Sequence, residues 1–143
     1  VRDGHAVAAS IRERARRYPQ AFARPTRPAY AVRTWNRAVR ATARVAERPE
    51  QTVVRYEDLT RDPGTELRRV CQAAGLAYDP AMTEPAEGSS FIEAHEAWKA
   101  DTAGPVAERA SRFDRAFSAA EQAWVERHLD RRAYRRATGT ELP

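Results

Sequence analysis

The apolar positions of this 143-residue chain fall into four stretches with helical spacing and one short β-branched run. Val7, Ile11, Ala15 and Tyr18 recur at i, i+4, i+8 and i+11, which predicts one helix face, and Pro19 stops that helix. Three prolines and no hydrophobic period mark 19–28 as a loop. A second helix is predicted from about Pro28, with Val32, Trp35, Val39, Ala43 and Ala46 on one side and Arg33, Arg37, Arg40 and Arg44 on the other. Residues 51–56 (QTVVRY) read as a strand, β-branched at the centre. Asp62-Pro63 then opens a third helix, the carboxylate accepting from free amides and proline suiting the first helical position. Its expected buried stripe is Leu67, Val70, Cys71 and Ala74, with Gly75 as the left-handed stop. Residues 76–117 are loop-rich, with turn signals at Asp79-Pro80 and at 87–90. A last helix starts at Ser118, where Ser118-Ala119-Ala120-Glu121 forms a capping box, buries Val125, Leu129, Ala133 and Trp124, and ends before Gly139.

One buried strand cannot make a sheet. Helix, helix, strand, helix is the rhythm of a parallel α/β fold, so the expected class is α/β, helix-rich in this stretch, with the remaining strands elsewhere. Residues 1–143 then form the C-terminal portion of a single domain, an expectation that fits an opening at Val1 without an initiator Met.

Composition narrows the function classes. With 42% hydrophobic and 31% charged residues the chain suits a soluble domain with a core. No apolar run nears the roughly 18 residues that a bilayer crossing needs. No signal peptide is visible, and the working expectation is a cytoplasmic protein. The single Cys71 allows no internal disulfide and no cysteine zinc site, and it reads as a buried structural thiol. His5, His95 and His128 lack metal-ligand spacing, so no metal is expected.

Charge is unevenly placed. Residues 1–48 hold twelve Arg against Asp3, Glu13 and Glu47, a local +9 within a total of +5 that leaves −4 for the remainder. The N-terminal third could face an anion. The plainer reading is compositional: Lys99 is the only lysine among 25 basic residues, and arginine-rich helix faces are commonly just solvated.

Two stretches carry candidate chemistry. In 1–10 (VRDGHAVAAS) Arg2 precedes a helix start and Ser10 lies two turns on. A guanidinium can grip phosphate oxygens bidentately, and a helix start adds free amides and a positive dipole end. The other possibility is that Arg2 is a solvated charge and Ser10 a neutral helix residue. The second stretch runs from 53–59 (VVRYEDL) through Asp62-Pro63 to 75–80 (GLAYDP). Tyr56 at a strand end could contact a nucleotide base or could close the core as a half-buried aromatic. Glu57 and Asp58, adjacent at a helix start, read as structural caps rather than an acid/base pair.

In this order and spacing the two stretches resemble the sulfotransferase family, and the resemblance covers residues 1–80. It implies a parallel-sheet fold like that of the P-loop NTPases, and transfer of a sulfuryl group from 3′-phosphoadenosine 5′-phosphosulfate to a hydroxyl or amine acceptor, without a metal. By the same resemblance Arg2 and Ser10 would hold the donor's 3′-phosphate and Tyr56 would lie beside its adenine. A basic loop often serves that phosphate in the family, which makes Arg109 and Arg112 candidates, a solvated loop being the alternative. Position 5 is commonly Arg in such motifs and is His5 here. The family's loop for the 5′-phosphosulfate, a Lys among Gly, Ser and Thr near the domain's N-terminus, has no counterpart in residues 1–143, and Lys99 lies in the wrong context. The family's catalytic base normally precedes the 3′-phosphate motif, so no catalytic residue is assigned and His95 with Glu96 is not promoted. The expected partners are the nucleotide donor and an unidentified acceptor, with no nucleic acid and no membrane segment. Two rivals differ in class: another P-loop transferase such as a small-molecule kinase, which would need magnesium and ATP, and a basic helical module binding nucleic acid through Tyr18, Tyr30, Trp35 and the arginines of 1–48.

Overall fold

The computed structural model describes residues 1–19, 27–84 and 112–142. Among them every regular element is helical: α1 (Gly4–Arg17), α2 (Pro28–Val45), α3 (Tyr56–Arg61), α4 (Pro63–Ala73), a 3-10 turn (Pro80–Thr83), α5 (Phe113–Ala116), α6 (Ala119–His128) and α7 (Arg131–Thr138). The expected parallel-sheet α/β fold is therefore overturned. Residues 51–55 carry no strand, and Tyr56 already begins α3. The physical reason lies in pairing. The Val1 amine donates to the Val54 carbonyl at 2.5 Å and the Tyr56 amide donates to the Val1 carbonyl at 2.7 Å. Two such bonds bracket one residue of the neighbouring chain, and a ladder needs a run of them. β-branched side chains alone do not make a sheet.

The chain divides into two compact units. Of the described residues, 1–19, 27–56 and 112–142 belong to the first. Here α2 packs on α7, α1 and α6, while α5 packs on α1 and α6. The apolar faces agree with the periodicity. Val32, Trp35, Val39 and Ala43 are all buried on α2, while Arg33, Arg37, Arg40 and Arg44 are exposed. On α1 the buried residues are Gly4, Ala8, Ala9 and Ala15, with Val7 and Ile11 half-buried against the same core. Small residues let helices approach closely, and Gly4 shows how closely: a Cβ there would meet the Leu129 methyls at 2.8 and 3.0 Å and the Trp35 indole at 3.1 Å.

The last predicted helix is two. Ser118 and Glu121 form the capping box of α6, the Ser118 amide donating to Glu121 Oε2 at 3.0 Å. The helix stops at Leu129, whose ψ of 134° is extended, and Asp130 caps α7 by accepting from the Ala133 amide at 2.9 Å. Val125, Leu129 and Ala133 are buried on both sides of this break. α7 ends at Gly139, whose φ of 74° is the left-handed stop.

The second unit contains the described residues 57–84. Asp62 caps α4, accepting from the Thr65 amide at 3.0 Å, and Gly75 follows with φ 68°. The expected apolar stripe is only partly covered: Cys71 is buried, Leu67 and Val70 are half-buried and Ala74 is exposed. The Cys71 thiol packs on the Met82 sulfur at 3.8 Å. Asp58 pairs with Arg61 at 3.5 Å, and the Thr60 hydroxyl donates to the main-chain carbonyl of Glu57 at 3.2 Å. No helix among the described residues is long and apolar enough to cross a membrane.

Candidate functional site

The candidate site is built on the two residues that precede α1. Asp3 is its cap: Oδ1 accepts from the His5 amide at 3.1 Å and Oδ2 from the Ala6 amide at 2.9 Å. His5 Nδ1, carrying its proton, donates to Asp3 Oδ1 at 3.0 Å, and the imidazole edge meets the Phe113 ring at 5.0 Å. Burial alone would raise the Asp3 pKa. The hydrogen bonds from the His5 ring and from the Ala6 and His5 amides outweigh it and hold the carboxyl below the ordinary value. Two of the helix-start amides are thus already committed to an internal carboxylate, and any grip on an external anion falls to the side chain of Arg2.

Arg2 is held at its backbone and at its side chain. The Arg2 carbonyl accepts from the Trp35 indole N–H at 2.9 Å. The guanidinium carbon lies 4.3 Å from the centroid of the Tyr56 ring, a cation–π contact. Arg2 Nε is buried and has no hydrogen-bond partner among the described residues. Stacking uses the flat face of a guanidinium and leaves its N–H edges directed in plane, where an oxyanion can be taken. Arg2 and Tyr56, far apart in sequence, are therefore brought together.

The other predicted residues are placed differently. Ser10 is exposed on α1, at the second turn beyond Asp3. Arg112 caps the start of α5 without a side-chain hydrogen bond to it, and its guanidinium pairs with Glu13, one turn beyond Ser10 on the same helix face. Arg109, His95, Glu96 and Lys99 lie outside the described residues.

Two residues that support the site carried no role in it from the sequence, Tyr134 having no reading at all. Trp35 was one of an apolar stripe, but a buried indole N–H needs an acceptor, and that requirement pointed to a main-chain partner. Tyr134 is fully buried, stacks on Trp35 at 5.9 Å and 27°, and its hydroxyl accepts from Arg55 Nε at 3.3 Å. With Trp35 only 4% exposed, the indole offers nothing to a nucleic-acid base.

Comparison with known protein families matches residues 1–80 to the sulfotransferase family. The match contains Arg2, Ser10 and Tyr56 and stops before Arg109 and Arg112. No curated protein matches the chain, and no solved structure does.

Proposed function

This chain belongs to the sulfotransferase family, and from that premise we propose that it forms the 3′-phosphate and adenosine end of a site for 3′-phosphoadenosine 5′-phosphosulfate, in an enzyme that sulfates a hydroxyl or amine. The observation that carries the reading is the Arg2 guanidinium stacked on Tyr56 with its Nε buried and unpartnered. An unsatisfied buried N–H of a charged group is costly unless a ligand completes it. A phosphate monoester supplies the charge and the oxygens for that role. Tyr56, with Arg2 over its ring, would border the adenine, and Ser10 would add a hydroxyl from the exposed face of α1. Arg112 would join by exchanging Glu13 for phosphate, and Arg109 is proposed with it.

In this reading residues 1–143 hold the donor rather than break its bond. Transfer needs cationic stabilisation of the departing phosphate and a base on the acceptor, and neither role is assigned to a residue here. The proposal places the 5′-phosphosulfate loop outside residues 1–143. What Arg2 and Tyr56 contribute is binding energy and register at the remote end of the donor, which fixes the reacting end in line.

The test is turnover by the full encoded protein with sulfur-labelled donor and a panel of hydroxyl and amine acceptors. Labelled product from this donor, and no phosphoryl transfer from ATP with magnesium, is the expected result. Phosphoryl transfer from ATP in place of sulfation would contradict it.

A further inference from the structure

Tyr134 of α7 is fully buried, and its ring stacks on Trp35 at 5.9 Å and 27°. A phenylalanine would fill the same space and keep the same stack. The hydroxyl therefore adds little to packing, and a buried hydroxyl costs stability unless it finds a partner. Its partner among the described residues is Arg55, whose Nε donates to it at 3.3 Å. Arg55 is the chain neighbour of Tyr56, the residue whose ring faces the Arg2 guanidinium at 4.3 Å.

These contacts close on themselves. The Arg2 carbonyl accepts from the Trp35 indole, Trp35 stacks on Tyr134, and the Tyr134 hydroxyl accepts from Arg55. One peptide bond leads on to Tyr56, whose ring returns to the side chain of Arg2. All five residues belong to the first compact unit. Residues 51–55 carry no strand, and the segment is bonded to Val1 through the Val54 carbonyl and the Tyr56 amide. A segment without a ladder lacks the repeated bonds that fix its rotation, so a side-chain anchor beside Tyr56 helps to set where that ring lies. A cation–π contact fades beyond about 6 Å from the ring centroid, so a displacement of roughly 2 Å would release the guanidinium.

We propose that Arg55 and the Tyr134 hydroxyl are positioning residues for the donor site: their bond holds the Tyr56 ring against Arg2, which keeps the guanidinium edge directed at a phosphate. The proposal rests on the reading of Arg2 as the 3′-phosphate ligand and deepens it. Neither residue touches the donor. Tyr134 lies beyond the matched residues 1–80, so this support comes from outside the stretch that carries the family match. The rival is that Arg55 is itself a cation for the donor. The two differ at Tyr134, because removing its hydroxyl leaves the Arg55 charge in place and cuts only the bond between them.

The experiment is calorimetric titration of the full protein with adenosine 3′,5′-bisphosphate, well below the melting temperature of every variant. The proteins compared are the parent, Tyr134→Phe, Arg2→Ala, the double variant of these two, and Arg136→Gln. The last is the control, since it cuts another α7 side-chain contact, the exposed pair with Glu47 at 3.1 Å. Tyr134→Phe should weaken binding about three- to tenfold, the range for one hydrogen bond, and Arg136→Gln by less than about twofold. In the Arg2→Ala background, Tyr134→Phe should cost less than about twofold further, because residues that act through one another are not additive. Full additivity of the two losses would overturn the positioning role. So would parent-like binding by Tyr134→Phe, or an equal loss in Arg136→Gln, while Arg2→Ala still binds weakly. Parent-like binding by Arg2→Ala would overturn the donor reading, and this proposal with it.

Discussion

The Trp35 indole, in the middle of α2, donates to the main-chain carbonyl of Arg2 at 2.9 Å. A buried core residue thus fixes the backbone of the residue whose side chain forms the candidate anion site. Behind Trp35 lies Tyr134 of α7, outside the matched residues 1–80. The packing that sets Arg2 therefore includes a helix beyond the family's recognisable stretch.

Trp35→Phe should keep most of the apolar contact and remove only the donor to Arg2. The expected loss is about 1–3 kcal/mol in denaturant unfolding, from the missing bond and the smaller ring. Tyr134→Phe keeps the stack and gives up a long 3.3 Å bond to Arg55, so it should cost less than about 1 kcal/mol. A larger loss for Tyr134→Phe than for Trp35→Phe would reverse this order and contradict the account.

Acid should destabilise the protein through its caps. Burial raises the pKa values of Asp3 and Asp130, but hydrogen bonds prevail in both: from His5 and the Ala6 and His5 amides at Asp3, and from the Ala133 amide and Arg40 at Asp130. At Glu121 the Arg12 hydrogen bond leads, with the Ser118 amide, and again the pKa is lowered. A carboxyl whose folded pKa is depressed contributes stability above its unfolded pKa of about 3.9–4.3, lost as pH falls through the folded pKa. Urea midpoints measured from pH 6 to pH 2 should fall in the acid range, and Asp3→Asn should show a shallower fall. An unchanged slope in Asp3→Asn would remove Asp3 from the explanation.

Much of the helical architecture was legible in the sequence because local chemistry decides it. The α2 stripe, the stop before Pro19, the Asp62-Pro63 start and the Ser118 box each rest on residues within a turn or two of one another. The strand expected at 51–56 failed because β-branched composition is local and pairing is not: main-chain bonds to Val1 and the Arg55 bond to Tyr134 help hold that segment. The break at Leu129 was hidden for a different reason. Val125, Leu129 and Ala133 keep helical spacing across it and are all buried, so the hydrophobic period cannot register that Asp130 restarts the helix. At the site, Arg2 and Tyr56 were each nominated separately, and their contact was not legible. Asp3 was overlooked although an Asp ahead of Gly4-His5-Ala6 is a cap signal.

Tyr56 distinguishes donor binding from core packing. It is half-buried and carries Arg2 over its ring. Tyr56→Ala should raise the donor's KM in the full protein and lower stability by less than the roughly 3–5 kcal/mol typical of a core aromatic truncation. Tyr56→Phe should keep both close to the parent. A full core-sized loss of stability, with KM unchanged in the folded fraction, would assign the ring to packing alone.

The central claim is that the Arg2 guanidinium, stacked and short of a partner, takes the 3′-phosphate of the donor. The direct measurement is calorimetric titration of the full protein and its Arg2→Ala variant with adenosine 3′,5′-bisphosphate and with adenosine 5′-phosphate. A charge-assisted hydrogen bond predicts that the variant loses about 1.5–3 kcal/mol for the bisphosphate, or roughly tenfold to more than a hundredfold. The ligand without a 3′-phosphate should lose far less. Equal losses for the two ligands, or none for the bisphosphate, would contradict the account.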